Sequence, residues 1–170
     1  RLVACGGTAL TLLGVKPSTK DVDLMVPDER EYSYLIRTLR DLGYSRATVA
    51  GWKRKNEVYI FDIYQGNKIH TTELLESPLK EGNNSLIKEF SHVSLSVLNH
   101  YDIIISKLFR GTGVDVEDCL ALLDANKEEI DIDVLKQRYH ETASYDVSEE
   151  AINKNLAYFL KRAGERGISR

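Results

Sequence analysis

The stretch CGGTALTLLGVKPSTKDVDLMVP, Cys5–Pro27, decides how the rest of the chain is read. Ahead of it, RLVA is β-prone, and the run ends in Gly6-Gly7. TALTLLG then places Ala, Leu and Thr at spacings that suit a short helix lying on a sheet, closed by Gly14. After the turn KPSTK, DVDLMV alternates acid and apolar residues with period two. Asp21 and Asp23 therefore share one face of a strand, Val22 and Leu24 take the other, and Pro27 stops it. Two acids on one strand face raise each other's pKa, and burying them ionised is costly unless something compensates.

Outward from this stretch, DEREYSYLIRTLRDLGY predicts an amphipathic helix. Asp28 is its N-cap, Glu31 follows three residues on, Gly43 is the stop, and Tyr32, Leu35, Ile36, Leu39 and Leu42 form the apolar stripe. Two strands are expected next, one over 46–53 and one in EVYIFDIYQG, 57–66. In the second, alternation puts Val58, Ile60, Asp62 and Tyr64 on one face, where the acid is the odd member. Residues 71–90 read as irregular or weakly helical with EGNNS as a loop, and HVSLSVLN gives one more strand. From about His100 the texture turns helical: YDIIISKLFR, VDVEDCLALLDA with Asp115 as a candidate N-cap, DIDVLKQRYHETA, and SEEAINKNLAYFLKRAGERG capped by Ser148. The expected fold class is α+β, a mixed β-sheet flanked by helices and followed by a helical C-terminal part. The expected boundaries are 1–98 for the α/β core and 99–170 for the helical region packed on it.

The composition sets limits. At 170 residues the chain suits one ordinary domain, or one with a smaller appendage, and 42% hydrophobic with 29% charged residues is globular usage. No apolar run approaches a membrane span, so no membrane partner is expected. The first residues carry no signal peptide pattern, and an interior-looking strand at residue 1 suggests that residues upstream are missing. Cys5 and Cys119 are too few for a disulfide framework and lack zinc spacing, so they read as reduced core thiols in a cytoplasmic protein. A net charge of −3 argues against coating nucleic acid by bulk charge. RATVAGWKRK, 46–55, holds four basic residues and one Trp. It reads as a solvated hairpin with a packed Trp or, alternatively, as a nucleic-acid contact. His70, His92, His100 and His140 lack ligand spacing and read as no metal site.

Hard divalent cations would compensate the acids. Mg²⁺ takes oxygen ligands, is held by one or two carboxylates plus substrate phosphates, and in pairs clamps the attacking and leaving oxygens of phosphoryl or nucleotidyl transfer. The Gly-Gly turn and Thr8 offer backbone N–H groups and a hydroxyl suited to a triphosphate. The competing reading for Asp21, Asp23 and Asp62 is a solvated strand edge whose charge prevents aggregation. For Lys107 and Arg110 it is snorkelling from a buried helix, and for Asp115 it is a plain N-cap.

The ordered set GGTAL, short helix, DVDLMV, helix, strand with Asp62 resembles the nucleotidyltransferase superfamily that includes DNA polymerase beta. More narrowly it is similar to the prokaryotic group containing the abortive-infection toxin nucleotidyltransferases, to which SKLFRGTGVDVEDCLAL adds Lys107, Arg110, Asp115, Asp118 and Leu122 in order. Two departures are visible: twelve residues between Thr8 and Asp21 rather than ten, and Thr in place of Ser after the glycines. The resemblance implies that Asp21, Asp23 and Asp62 are the catalytic and metal-holding residues for Mg²⁺ or Mn²⁺, with Asp62 also deprotonating the acceptor hydroxyl. It implies that Gly6, Gly7, Thr8, Lys107 and Arg110 bind the phosphates of an NTP substrate such as ATP, and that Asp115 is accessory. The implied reaction moves NMP from an NTP to a hydroxyl on an RNA or tRNA end, a protein or a small molecule. The implied setting is a toxin with a cognate antitoxin. The alternative is a catalytically silent module of the same fold that binds a nucleotide or a partner.

Overall fold

The computed structural model describes residues 1–168, so Ser169 and Arg170, the end of the expected helical part, lie outside the described residues. β1 (Leu2–Ala4) leads into α1 (Gly6–Leu12), β2 (Val22–Val26) and α2 (Glu29–Asp41). β3 (Ser45–Arg46), β4 (Gly51–Lys53) and β5 (Phe61–Gln65) follow, then the small hairpin β6 (Lys68–Ile69) and β7 (Thr72–Glu73), and β8 (Asn84–Glu89) with β9 (Ser94–Leu98). Four helices complete the chain: α3 (His100–Arg110), α4 (Gly113–Ala125), α5 (Ile132–Ala143) and α6 (Glu149–Glu165). The main sheet has seven strands in the order β3-β4-β5-β2-β1-β9-β8. It is mixed, because β2 runs parallel to β5 and β1 parallel to β9 while β1 and β2 are antiparallel. This is the α+β class expected from the sequence.

Strand alternation sorts the core onto the two faces of the sheet. Leu24, Val26, Ile63 and Trp52 meet Ile36 of α2 on one face. Val3, Met25, Tyr64 and Val97 meet α1, α3 and the other C-terminal helices on the opposite face, with Leu108, Leu120, Tyr139 and Phe159 fully buried there. Asp23 and Asp62, alternating with Leu24 and Ile63, project on this second face. The acids thus look toward α3, the helix that carries both Lys107 and Arg110. Among the described residues no helix is long and apolar enough to cross a membrane.

Several local expectations need correction. The strand expected over 46–53 is the hairpin β3–β4, with Trp52 packed against the core and the guanidinium groups of Arg40 and Arg46 over its ring. This fits the packed-Trp hairpin reading of 46–55. The strand expected over 57–66 begins only at Phe61, since Val58 and Tyr59 are exposed. The segment 71–90 is not irregular throughout: Asn84–Glu89 is the edge strand β8, held by pairing with β9. Asp28 caps α2 as expected, accepting from the N–H groups of Arg30 and Glu31, but the Glu31 carboxylate turns to Arg1 instead of completing a capping box, and Leu42 is exposed at the helix end. Ser148 stands at the start of α6 without a side-chain cap bond.

Asp115 is not the N-cap of α4. Thr112 is, and the two residues form a reciprocal box: Thr112 Oγ1 accepts from the Asp115 N–H at 3.2 Å and donates to Asp115 Oδ2 at 2.7 Å. Thr112→Ala is expected to cost about 1 kcal/mol. In a chain of this length that lowers the melting temperature by about 2–4 °C, which a thermal melt would read.

Candidate active site

Parallel pairing of β2 with β5 sets Asp23 directly beside Asp62, and Asp21 lies one residue before β2, where the Val22 N–H is bound to the Ile60 carbonyl. The turn into α1 grips this strand. The Gly7 N–H donates to Asp23 Oδ2 at 2.9 Å, the Asp23 N–H donates to Thr8 Oγ1 at 2.8 Å, and that hydroxyl reaches the Asp21 carbonyl at 3.4 Å. Gly6 has φ +52°, and a Cβ there would lie 2.6 Å from Asp23 Oδ2, so both its conformation and its bareness are needed for this approach. On the other side a Cβ at Gly51 would come within 2.9 Å of Asp62 Oδ1.

Burial pushes the Asp23 carboxyl above the usual carboxylate range, against the lowering effect of the Gly7 and Thr8 N–H groups. Asp62 is also raised, first by burial and then by the charges of Asp23 and Asp21. These acids are therefore held close without enough positive charge of their own. Among the described residues no group of three or more His, Cys, Asp or Glu side chains forms a ready-made metal cage. The donor set fits instead a hard cation held by one or two carboxylates that completes its shell with substrate oxygens.

The facing wall is a chain of ion pairs. Lys107 Nζ lies 2.8 Å from Asp118 Oδ2 and 3.3 Å from Asp115 Oδ1, and Lys16 Nζ is 3.1 Å from both oxygens of Asp118. Arg110 reaches Asp115 Oδ1 with Nη2 at 2.5 Å and His70 Nε2 with Nη1 at 2.9 Å. Because a guanidinium only donates, His70 Nε2 must accept, so the ring is neutral at this nitrogen. Partial burial and then Arg110 push the His70 pKa down, in keeping with that state. Burial raises the Asp115 carboxyl, but Thr112, Arg110 and Lys107 together outweigh it and hold the group below the usual range.

Acids and cations face each other across one cleft of about 370 Å³. Of the residues singled out from sequence, Gly7, Asp21, Asp23, Asp62, Lys107, Arg110 and Asp115 line it. Gly6 and Thr8 stand behind the wall and fix it in place. Sequence reasoning missed Lys16, Thr19 and His70, which line the same cleft together with Asp118, a residue that entered only through the order of the motif. A signal for His70 exists only in the structure: φ is +51°, uncommon for a residue other than glycine.

Compared with known families, residues 1–163 match the one described as nucleotidyltransferase of unknown function, DUF6036. No curated protein matches the chain. Among solved structures the chain is similar to ANT(2")-Ia in complex with adenylyl-2"-tobramycin, at 16% identity and TM-score 0.44, covering 95% of this chain and 87% of that one. It is also similar to an antigenic nucleotidyltransferase-like protein from Paracoccidioides brasiliensis, at 11% identity and TM-score 0.44, covering 91% and 84%.

Proposed function

Because the chain belongs to the nucleotidyltransferase family DUF6036, we propose that its cleft moves an NMP group from an NTP to a hydroxyl acceptor, with Mg²⁺ or Mn²⁺ held by Asp21, Asp23 and Asp62. The observation that carries this reading is the direct β2–β5 pairing of Asp23 with Asp62, both with raised pKa values, opposite a wall of Lys and Arg in one cleft. When bound, the divalent ion would neutralise phosphate charge and draw the acceptor and leaving oxygens into line.

The chain's own residues supply the rest. The acceptor hydroxyl gives its proton to the Asp62 carboxylate as its oxygen bonds to the α-phosphorus, and the bond to the pyrophosphate oxygen breaks. Gly6, Gly7 and Thr8 set the position of Asp23, and the Arg110 guanidinium meets the negative charge of the nucleotide. Lys107 and Asp115 keep that guanidinium and its helix in place. In this reading residues 1–98 carry the three acids and residues 99–170 bring Lys107 and Arg110 to them. The order of motifs supports a place beside the prokaryotic abortive-infection toxin-like enzymes. It would make the protein a cytoplasmic toxin with a cognate antitoxin, acting on an RNA or tRNA end, a protein or a small molecule.

Calorimetric titration of each NTP with Mg²⁺ into wild type and into the Asp21→Asn, Asp23→Asn double variant tests the site. The expected outcome is metal-dependent binding of at least one NTP by wild type, weakened by about 100-fold or more in the variant, as loss of several kcal/mol of charge stabilisation requires. A folded wild type that binds no NTP would contradict it and favour a silent partner-binding module.

A further inference from the structure

The three cations on the cleft wall are not equivalent. The Lys107 side chain is 4% exposed, with its ammonium held between two carboxylates. Drawing it toward a ligand would strand Asp115 and Asp118, both largely buried, with less positive charge. Arg110 is 33% exposed and bracketed by Asp115 on one nitrogen and His70 on another. Lys16 is 31% exposed, and among the described residues its partner is Asp118 alone. With the lysine itself open to solvent, moving its ammonium off Asp118 costs little. When Lys16 leaves, Asp118 still has Lys107 at 2.8 Å, so no carboxylate is orphaned.

Lys16 also has the right place in the chain. It stands in the α1–β2 connection, which supplies Thr19 to the same cleft and runs into Asp21 and Asp23. An ammonium has three N–H donors, and Lys16 can turn them toward an anion without disturbing an element of the fold. Resting on the proposed nucleotidyltransferase reading, we propose that Lys16 binds the polyphosphate tail of the NTP, that Asp118 holds it at the wall until nucleotide arrives, and that Lys107 is a buried strut.

Calorimetry with three probes tests this: Mg·NTP, Mg·tripolyphosphate and the matching NMP, against wild type, Lys16→Met and Lys16→Arg. Loss of one charge-assisted contact predicts that Lys16→Met weakens Mg·NTP and Mg·tripolyphosphate by about 10- to 100-fold. NMP affinity should stay within about twofold, most of the loss should return in Lys16→Arg, and the melting temperature should hold within about 2 °C. Unchanged Mg·NTP affinity in Lys16→Met, with wild type binding normally, would overturn the role of Lys16 and leave the site reading standing. An equal loss for NMP would also overturn it, because the residue would then shape the cleft and not meet the tail. No Mg·NTP binding by wild type would overturn the site reading, and this assignment with it.

Discussion

If the proposed function holds, Asp23→Asn is expected to lower NMP transfer by on the order of 10³-fold while the protein stays folded, since several kcal/mol of transition-state stabilisation would then depend on a metal held by this carboxylate. Asn keeps the shape of Asp and can still accept from the Gly7 N–H, which in the structure bonds Asp23 Oδ2 at 2.9 Å. What it removes is a charge that the fold holds at a cost. The raised pKa of Asp23 means that its ionised form is less favourable folded than unfolded. Its contribution to stability is thus fully present below the ordinary Asp pKa and is lost as pH rises through the raised folded value. In metal-free buffer near neutral pH the variant should melt at the same temperature as wild type or above it, with the difference shrinking as pH falls. A variant that loses transfer and also melts far lower would make Asp23 a structural acid. Trading stability for a charged site is a common pattern at active sites.

The second large effect is opposite in kind. Lys107→Met is expected to destabilise the protein by about 3–5 kcal/mol, because it removes one partner of a buried ion network and leaves charge behind. For a chain of this length that is a fall in melting temperature on the order of 10 °C. The carboxylates left are Asp115, 4% exposed and retaining Arg110 and Thr112, and Asp118, which retains Lys16. Adding Asp118→Asn to Lys107→Met should recover part of the loss, since the two residues are in contact and their effects are not additive. Thermal and urea melts of the two variants would show it. A Lys107→Met protein as stable as wild type would mean that the ammonium is loosely held, and the contrast drawn between Lys107 and Lys16 would fail.

Reading the sequence singled out most of the residues that line the cleft because the features that mark them are local. Gly6-Gly7, the two-residue spacing of Asp21 and Asp23, Pro27 and the Asp28 cap each act within a few residues, and together they set β1, α1, β2 and the start of α2. Asp62 was legible for the same reason, as an acid inside an apolar strand. The misses have a common cause in contacts distant along the chain. β8, with sequence NSLIKE, is exposed over most of its length, so no buried face writes an alternation into it, and pairing with β9 makes it a strand. Conversely, Val58 continues the apolar alternation of β5 but lies outside the sheet. Lys16 is 102 residues from Asp118, and His70 is 40 residues from Arg110. No spacing rule links residues that far apart. Asp118 shows the same limit: its position in the first half of α4 suggests a dipole role, and only the fold brings two lysines to it.

If Asp21, Asp23 and Asp62 hold divalent metal together with a nucleotide, metal and nucleotide must strengthen each other's binding. Titration of Mn²⁺ into the protein, followed by electron paramagnetic resonance with and without a non-hydrolysable NTP, tests it most directly. The expected result is weak Mn²⁺ binding alone, tight binding of about two ions when nucleotide is present, and loss of both in Asp23→Asn. Mn²⁺ binding that nucleotide does not tighten, or that Asp23→Asn leaves intact, would contradict it.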